Sequence, residues 1–271
     1  MIHLRQKPLL GVPVNWSHPL ARGLVSCWLM NEGVGNKIYD LSGNKNTGSF
    51  YGDTKWVPGK YGPCLSFDGD GDYVNLGNSN IFDITSNTIS MWVKTGTSVN
   101  QRYVLDSFVG DSPYPFALRL LANGKMRYLI FDGTNFPLID SSVTVVDNNW
   151  HHIVGKRDTS TDKIYIYIDS VERGNTTDTT TLSTFNNNNL YLGVKGDFSA
   201  STYFNGTIDN VMIFNRALIA QEIAWLYREP FAMFDRPSIG LLYVPPAGGQ
   251  TILDYERGVR GVNRGVMVGV S

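Results

Sequence analysis

Strict alternation of apolar and polar residues, repeated along most of the chain, is the feature that most limits its fold. Ile89-Ser90-Met91-Trp92-Val93-Lys94, Lys163-Ile164-Tyr165-Ile166-Tyr167-Ile168 and Leu190-Tyr191-Leu192-Gly193-Val194 each switch side at every residue. A period of two suits a strand with one face against a core and does not suit a helix, whose apolar stripe recurs every three or four residues. Further strand candidates are 24–29, 64–67, 73–76, 103–108, 116–121, 125–131, 151–156 and 207–214, separated by turn pairs such as Asn123-Gly124 and Asp132-Gly133. Many short strands between Gly- and Asn-rich turns predict an all-β, two-sheet antiparallel jelly-roll sandwich. One short C-terminal helix is expected over 217–227, where Leu218, Ile219, Ile223 and Leu226 form a stripe, Asn215 is the nearest cap and Pro230 the stop.

At 271 residues with 42% apolar content the chain can bury a large core, and a large sandwich of this size folds as one domain with extended terminal arms. The expected divisions are an N-terminal arm at 1–19, the jelly roll at 20–230, an apolar and Pro/Gly linker at 231–250, and a tail at 251–271. That tail repeats Arg-Gly-Val at Arg257, Arg260 and Arg264. It is too short to bury a core, so its expected role is assembly, in a homo-oligomer or a larger virion or surface structure. A net charge of −1 provides no field for nucleic acid, and no apolar run reaches the ~20 residues of a membrane helix. Pro8, Pro13 and Pro19 interrupt any signal-like apolar stretch near the amino end. Cys27 and Cys64 read as either buried thiols or a pair.

Several ordered segments resemble laminin-G-like and concanavalin-A-like lectin-fold domains over roughly Leu20 to Arg228. They are Gly23–Gly33, Asp40–Gly48, Cys64–Gly69 with Asp72-Tyr73-Val74, Trp150–Val154, and Gly206–Val211 with Asn215–Leu218. Ile219 stands where the family often has a polar helix cap, and Asp169-Ser170 where it often has Asp-Gly. The flanking Asn15–Pro19 and Arg228–Phe231 resemble segments of phage-like and environmental bacterial proteins. The resemblance implies one structural Ca²⁺ between the first long loop and the closing strand, held by Asp40, Asp209, Glu32 and Asn44 or nearby backbone oxygens. The competing reading of Asp40 is an Asx turn, and that of Asp209 a loop tie.

Catalysis is not expected. Retaining glycosidases on this jelly roll need two carboxylates ~5–5.5 Å apart, supplied by alternate residues of one strand. None of the five Glu has an Asp two positions on, and no two lie closer than seven positions. His151 and His152 have no nucleophile motif nearby, so one packed structural histidine is expected. Asp68-Gly69-Asp70-Gly71-Asp72 departs from an EF-hand loop at two obligatory positions and reads as a turn. Sugar recognition asks for exposed aromatic faces beside amides and carboxylates. Alternation turns Trp92, Tyr165 and Tyr167 away from the Ile face, and Tyr203 joins Tyr114, Phe136, Phe198, Asn135, Asn187 and Asn189 as a candidate rim. The expected function is therefore a non-catalytic, surface-displayed structural or binding module on a virion or extracellular surface. A glycan-binding adhesin is the alternative, and a polysaccharide-active enzyme a distant third.

Overall fold

The computed structural model describes residues 6–78, 80–108, 112–181, 184 and 188–235. The chain divides into two units, 1–236 and 237–271, and every described residue lies in the first. Arg257, Arg260, Arg264 and the expected tail thus fall outside the described residues.

Sixteen strands and one helix follow in order: β1 (Leu24–Trp28), β2 (Lys37–Ile38), β3 (Gly48–Tyr51), β4 (Lys55–Pro58), β5 (Pro63–Asp68), β6 (Tyr73–Asn75), β7 (Asn87–Lys94), β8 (Arg102–Asp106), β9 (Tyr114–Leu120), β10 (Lys125–Phe131), β11 (Leu138–Thr144), β12 (Trp150–Asp158), β13 (Lys163–Ile168), β14 (Val171–Thr177), β15 (Tyr191–Leu192), β16 (Asn205–Phe214) and α1 (Ala220–Arg228). They form two eight-stranded sheets. The first runs β14-β13-β12-β7-β16-β5-β4, with β1 also on β16, and the second runs β11-β10-β9-β8-β15-β6-β3-β2. All named strand pairs are antiparallel, as the jelly-roll expectation requires. The sequence pattern located the apolar strands well and missed β2, β3, β4, β11 and β14, short strands or ones whose Asp, Ser, Glu and Asn residues leave them half-buried or exposed.

Between the sheets lies one continuous core. Ile89, Met91 and Val93 of β7, Ile164, Ile166 and Ile168 of β13, and Leu118, Leu120, Tyr128 and Ile130 of the second sheet meet there. At the centre Gly155 lets the sheets approach: a Cβ on it would sit 2.2 Å from the Tyr128 ring, whose hydroxyl donates to Asn87 at 2.6 Å. Cys27 and Cys64 are buried and free. Burial raises both thiols, Cys64 to about 12, so neither presents a thiolate near neutrality.

The outer face of the first sheet is apolar as well and carries a third layer. Met212, Phe214, Val154 and Tyr167 pack beneath Leu218, Ile223 and Leu226 of the helix segment, Val14 and Leu20 of the N-terminal segment, and Phe231, Met233 and Phe234. The stretch expected as a free N-terminal arm therefore lies on the domain from Gln6 onward. Val14 bridges Phe234, the Asn15 N–H donates to the Met233 carbonyl at 2.8 Å, and the Lys7 N–H donates to the Tyr61 carbonyl at 3.2 Å. The start expected for the linker, 231–235, belongs to the same layer.

The helix starts three residues later than expected, and Asn215 is not its cap: the Asn215 N–H instead donates to the Gly23 carbonyl. Ile219 holds the cap position without a polar side chain. Glu222 substitutes by reaching back to the Ile219 N–H at 3.0 Å, and Arg216 grips the same carboxylate with two bonds of 2.7 Å.

Gly155→Ala forces its methyl into the Tyr128 ring, and overpacking of this kind costs about 1–3 kcal/mol. A lower urea midpoint at unchanged slope is the expected result, and an unchanged midpoint would show that the sheets can separate locally without cost.

Candidate functional site

Because the helix, residues 6–21 and residues 231–234 cover the first sheet, the face left for a ligand is the outer side of the second sheet. The period of two selects its side chains. Val74, Leu192, Val104, Leu118 and Tyr128 point to the core, so their neighbours point out. Cross-strand pairing then sets these neighbours in rows. Ser49, Asn75, Tyr191 and Asp106 make one row, Tyr103, Arg119, Arg127 and Asp140 another, and Tyr51 and Tyr73 a third.

Four aromatic rings gather at the β3–β6–β15 end. Tyr51 and Tyr73 stack with centroids 4.7 Å apart and planes 2° from parallel, and Phe198 lies 5.0 Å from Tyr73 and 5.1 Å from Tyr191. Tyr51 is 46% exposed and Phe198 39%, so two of the four rings present substantial area to solvent. A tight turn holds Phe198: its N–H donates to the Lys195 carbonyl at 2.9 Å, Asp197 accepts from Ser199 at 2.6 Å and pairs with Lys195, and the Phe198 backbone takes a left-handed φ of 57°. Toward the other end, Arg119 lies over the Tyr103 ring at 4.5 Å and donates to the Tyr114 hydroxyl at 3.2 Å, while Arg127 grips Asp140 with bonds of 2.6 and 2.9 Å. Asp106 is buried under the 195–198 turn, and burial raises its carboxyl to about 6 against the pull of Arg119. Phe136, 41% exposed, stands at the margin against Tyr114 and Phe131.

The aromatics expected to bind a ligand lie elsewhere. Trp92 and Tyr167 do face away from the inter-sheet core, yet they are only 2% and 4% exposed. Tyr227 stacks on Trp92 at 5.5 Å, Tyr61 meets its edge and Lys60 lies over its ring at 4.3 Å. Alternation located the face correctly, and the third layer, which alternation does not reveal, covers it. Tyr165 is half-buried beside Tyr167 with Lys156 over its ring, and Tyr203 is half-buried, its carbonyl accepting from Arg102. Asn187 lies outside the described residues. The signal that would have found Tyr73 and Tyr191 was available, because each neighbours a core residue, Val74 or Leu192, in a polar setting.

The residues expected to hold calcium do not assemble a site. Asp40 accepts from the N–H groups of Cys27, Ser42 and Asn46 at 2.9–3.2 Å and from the Ser42 hydroxyl at 2.8 Å, which is the Asx-turn reading. The Asn44 amide donates to the Val25 carbonyl, Glu32 accepts from the Tyr39 N–H, and Asp209 is paired with Lys7. Asp40, Asp209, Glu32 and Asn44 therefore do not fit one ion. Among the described residues, the acidic side chains that come together are Asp53, Asp68 and Asp72, within 4.8 Å of one another. Asp72 is occupied there in closing the turn, accepting from the N–H groups of Asp53 and Asp68.

Both adjacent histidines are structural. His152 is buried, bonds Ser90 at 2.8 Å, and is lowered to about 4 by burial. His151 has its ring nitrogens on two carboxylates, Asp169 at 2.7 Å and Asp147 at 3.0 Å. With both nitrogens engaged, this ring has none left to take a proton from a nucleophile. The hydrogen bond its ring donates to Asp169 raises its pKa, while Asn149 and His151 together hold Asp147 near 2. A raised histidine stabilises fully below its unfolded value of about 6.5 and loses that effect as pH climbs through the folded value; the lowered Asp147 stabilises above about 4 and loses it on acidification. The melting temperature of His151→Gln should fall furthest below wild type between about pH 4 and 6.5, with the gap closing toward alkaline pH. A gap independent of pH would mean that the imidazolium pairs contribute nothing.

A family model and several solved structures share this architecture. The family model described as the concanavalin A-like lectin/glucanases superfamily matches residues 68–224. No curated protein matches the chain. Among solved structures, the binding domain of Paraclostridial Mosquitocidal Protein 1 superposes with a TM-score of 0.65 at 17% identity, covering 79% of this chain and 53% of that one. Domain 4 of AbnA, a GH43 extracellular arabinanase from Geobacillus stearothermophilus solved in complex with arabinotriose, gives 0.61 at 19% identity, covering 75% and 98%. The receptor binding domain of botulinum neurotoxin mosaic serotype C/D gives 0.62 at 16% identity, covering 77% and 51%. The chain spans about half the length of the two toxin domains, and at these identities the likeness is one of fold.

Proposed function

Since this chain belongs to the concanavalin A-like lectin/glucanases superfamily, we propose that it is a non-catalytic glycan-binding module whose binding face is the outer side of the second sheet. The observation that carries this reading is the aromatic group Tyr51, Tyr73, Tyr191 and Phe198 on the outer face of the second sheet, where Tyr51 and Phe198 reach solvent. Sugar rings present C–H groups that pack on aromatic faces, and their hydroxyls seek amides and charged donors. Asn75 shares a row with Tyr191, and Arg119 and Arg127 continue the face beyond it. In support, domain 4 of the arabinanase is solved with arabinotriose bound, and the toxin domains of the same fold are receptor-binding domains. Binding of an extended polysaccharide suits an open sheet face, and it accords with display at an extracellular or virion surface. No helix among the described residues is long and apolar enough to cross a membrane.

Phe198→Ala and Tyr51→Ala each remove an exposed ring and should weaken binding to a panel of neutral oligosaccharides roughly two- to tenfold without lowering the melting temperature. Trp92→Ala should do the reverse, destabilising the third layer with binding retained by the folded fraction. Unchanged affinity in both ring variants would reject this face.

A second reading, display on a virion or other assembly, rests on the threefold Arg-Gly-Val repeat at Arg257, Arg260 and Arg264. It is compatible with glycan binding. Light scattering of the full chain against one ending at Tyr243 tests it: an oligomer that becomes a monomer on truncation supports assembly through the tail, and two monomers reject it.

A further inference from the structure

We propose that Lys7 serves this chain as a tethered cation, its ammonium filling an oxygen cage that would otherwise take a metal ion. The cage arises from the topology of β16. Its first half pairs with β5, ending at Ile208 opposite Leu65, and its second half pairs with β1, beginning at Val211 opposite Trp28. Asp209 and Asn210 lie at the handover, where the register to β7 shifts and Asn210 takes a left-handed φ of 51°. The two partner strands stop short of each other, leaving the carbonyls of Met30 and Pro63 beside the Asp209 carboxylate.

Lys7 enters this gap with a side chain 3% exposed, donates to the Met30 carbonyl at 3.0 Å and to the Pro63 carbonyl, and pairs with Asp209. An ammonium has three protons to donate, and the gap offers three acceptors. Two carboxylate oxygens stay unsatisfied: Asp209 Oδ2 and Glu32 Oε2 are buried without hydrogen-bond partners, and Glu32 is close enough to act electrostatically on Lys7. The gap therefore holds the Asp209 carboxylate and two carbonyls around the ammonium, with Glu32 acting on it electrostatically. Hard oxygens with an excess of negative charge are the donor set of calcium. Lys7 supplies one positive charge and three donors to these oxygens, and because its chain is already folded across the domain it needs no free ion in solution. Asp40, by contrast, has no part in the cage, its oxygens being held by the Asx turn.

Removing one partner of a buried pair strands the other charge. Lys7→Ala should therefore melt on the order of 10 °C below wild type in chelator and recover at least half of that loss in calcium at about 10 mM, above the range of weak protein sites. Wild type should melt alike in both. Lys7→Met combined with Asp209→Asn removes both charges and should not respond to calcium. A Lys7→Ala chain that unfolds equally in calcium and in chelator, or that fails to fold in either, overturns the proposal. So does a wild-type chain stabilised by calcium, or a double variant that responds to it.

Discussion

The centre of the first sheet is buried on both faces, and that constraint arranges the rest of the molecule. Seven of the eight residues of β7 are buried, as are the last seven of β16. Such strands are tolerated only where a layer lies on each side, as in sheets covered by helices on both faces. Here the inner face meets the second sheet, and the outer one is closed by a nine-residue helix and two chain segments that flank the sandwich in sequence. The helix alone is too short to cover eight strands. The N-terminal segment from Gln6 and the residues after Arg228 are thereby drawn into the fold, and the ligand face is left to the other sheet.

This explains what could be read from the sequence. Alternation registers a strand and its two faces, and it did so for Ile164, Ile166 and Ile168 against Tyr165 and Tyr167. It carries no information on whether the polar-looking face meets water or a further layer. Tyr167 and Trp92 looked like surface aromatics because a tyrosine hydroxyl or an indole N–H suits either setting. The polar strands β11 and β14 escaped notice for the converse reason: with little apolar surface, their pairing rests on the backbone.

The cage around Asp209 was half visible. Asp209 and Glu32 entered the sequence reading through the family resemblance, which implied a calcium ion as their partner. The side chain that answers Asp209 lies some two hundred residues away in sequence, in a segment that proline spacing marks as irregular. No local pattern links Lys7 to Asp209; only the handover of β1 and β5 on β16 does. Burial raises Asp209 to about 6 even with Lys7 beside it, and lowers Lys7 in turn, as expected of a pair that lost more hydration than it regained.

The strict separation of inward and outward side chains in the second sheet has an evolutionary corollary. Tyr51, Tyr73 and Tyr191 occupy positions whose backbone is set by Phe50, Val74 and Leu192 beneath them, and Phe198 sits on a turn held by its own hydrogen bonds. Exchanging these rings for other side chains leaves the inter-sheet packing untouched. Selection can thus rewrite what the face recognises at small cost in stability, and a single scaffold can diversify its ligands faster than its fold.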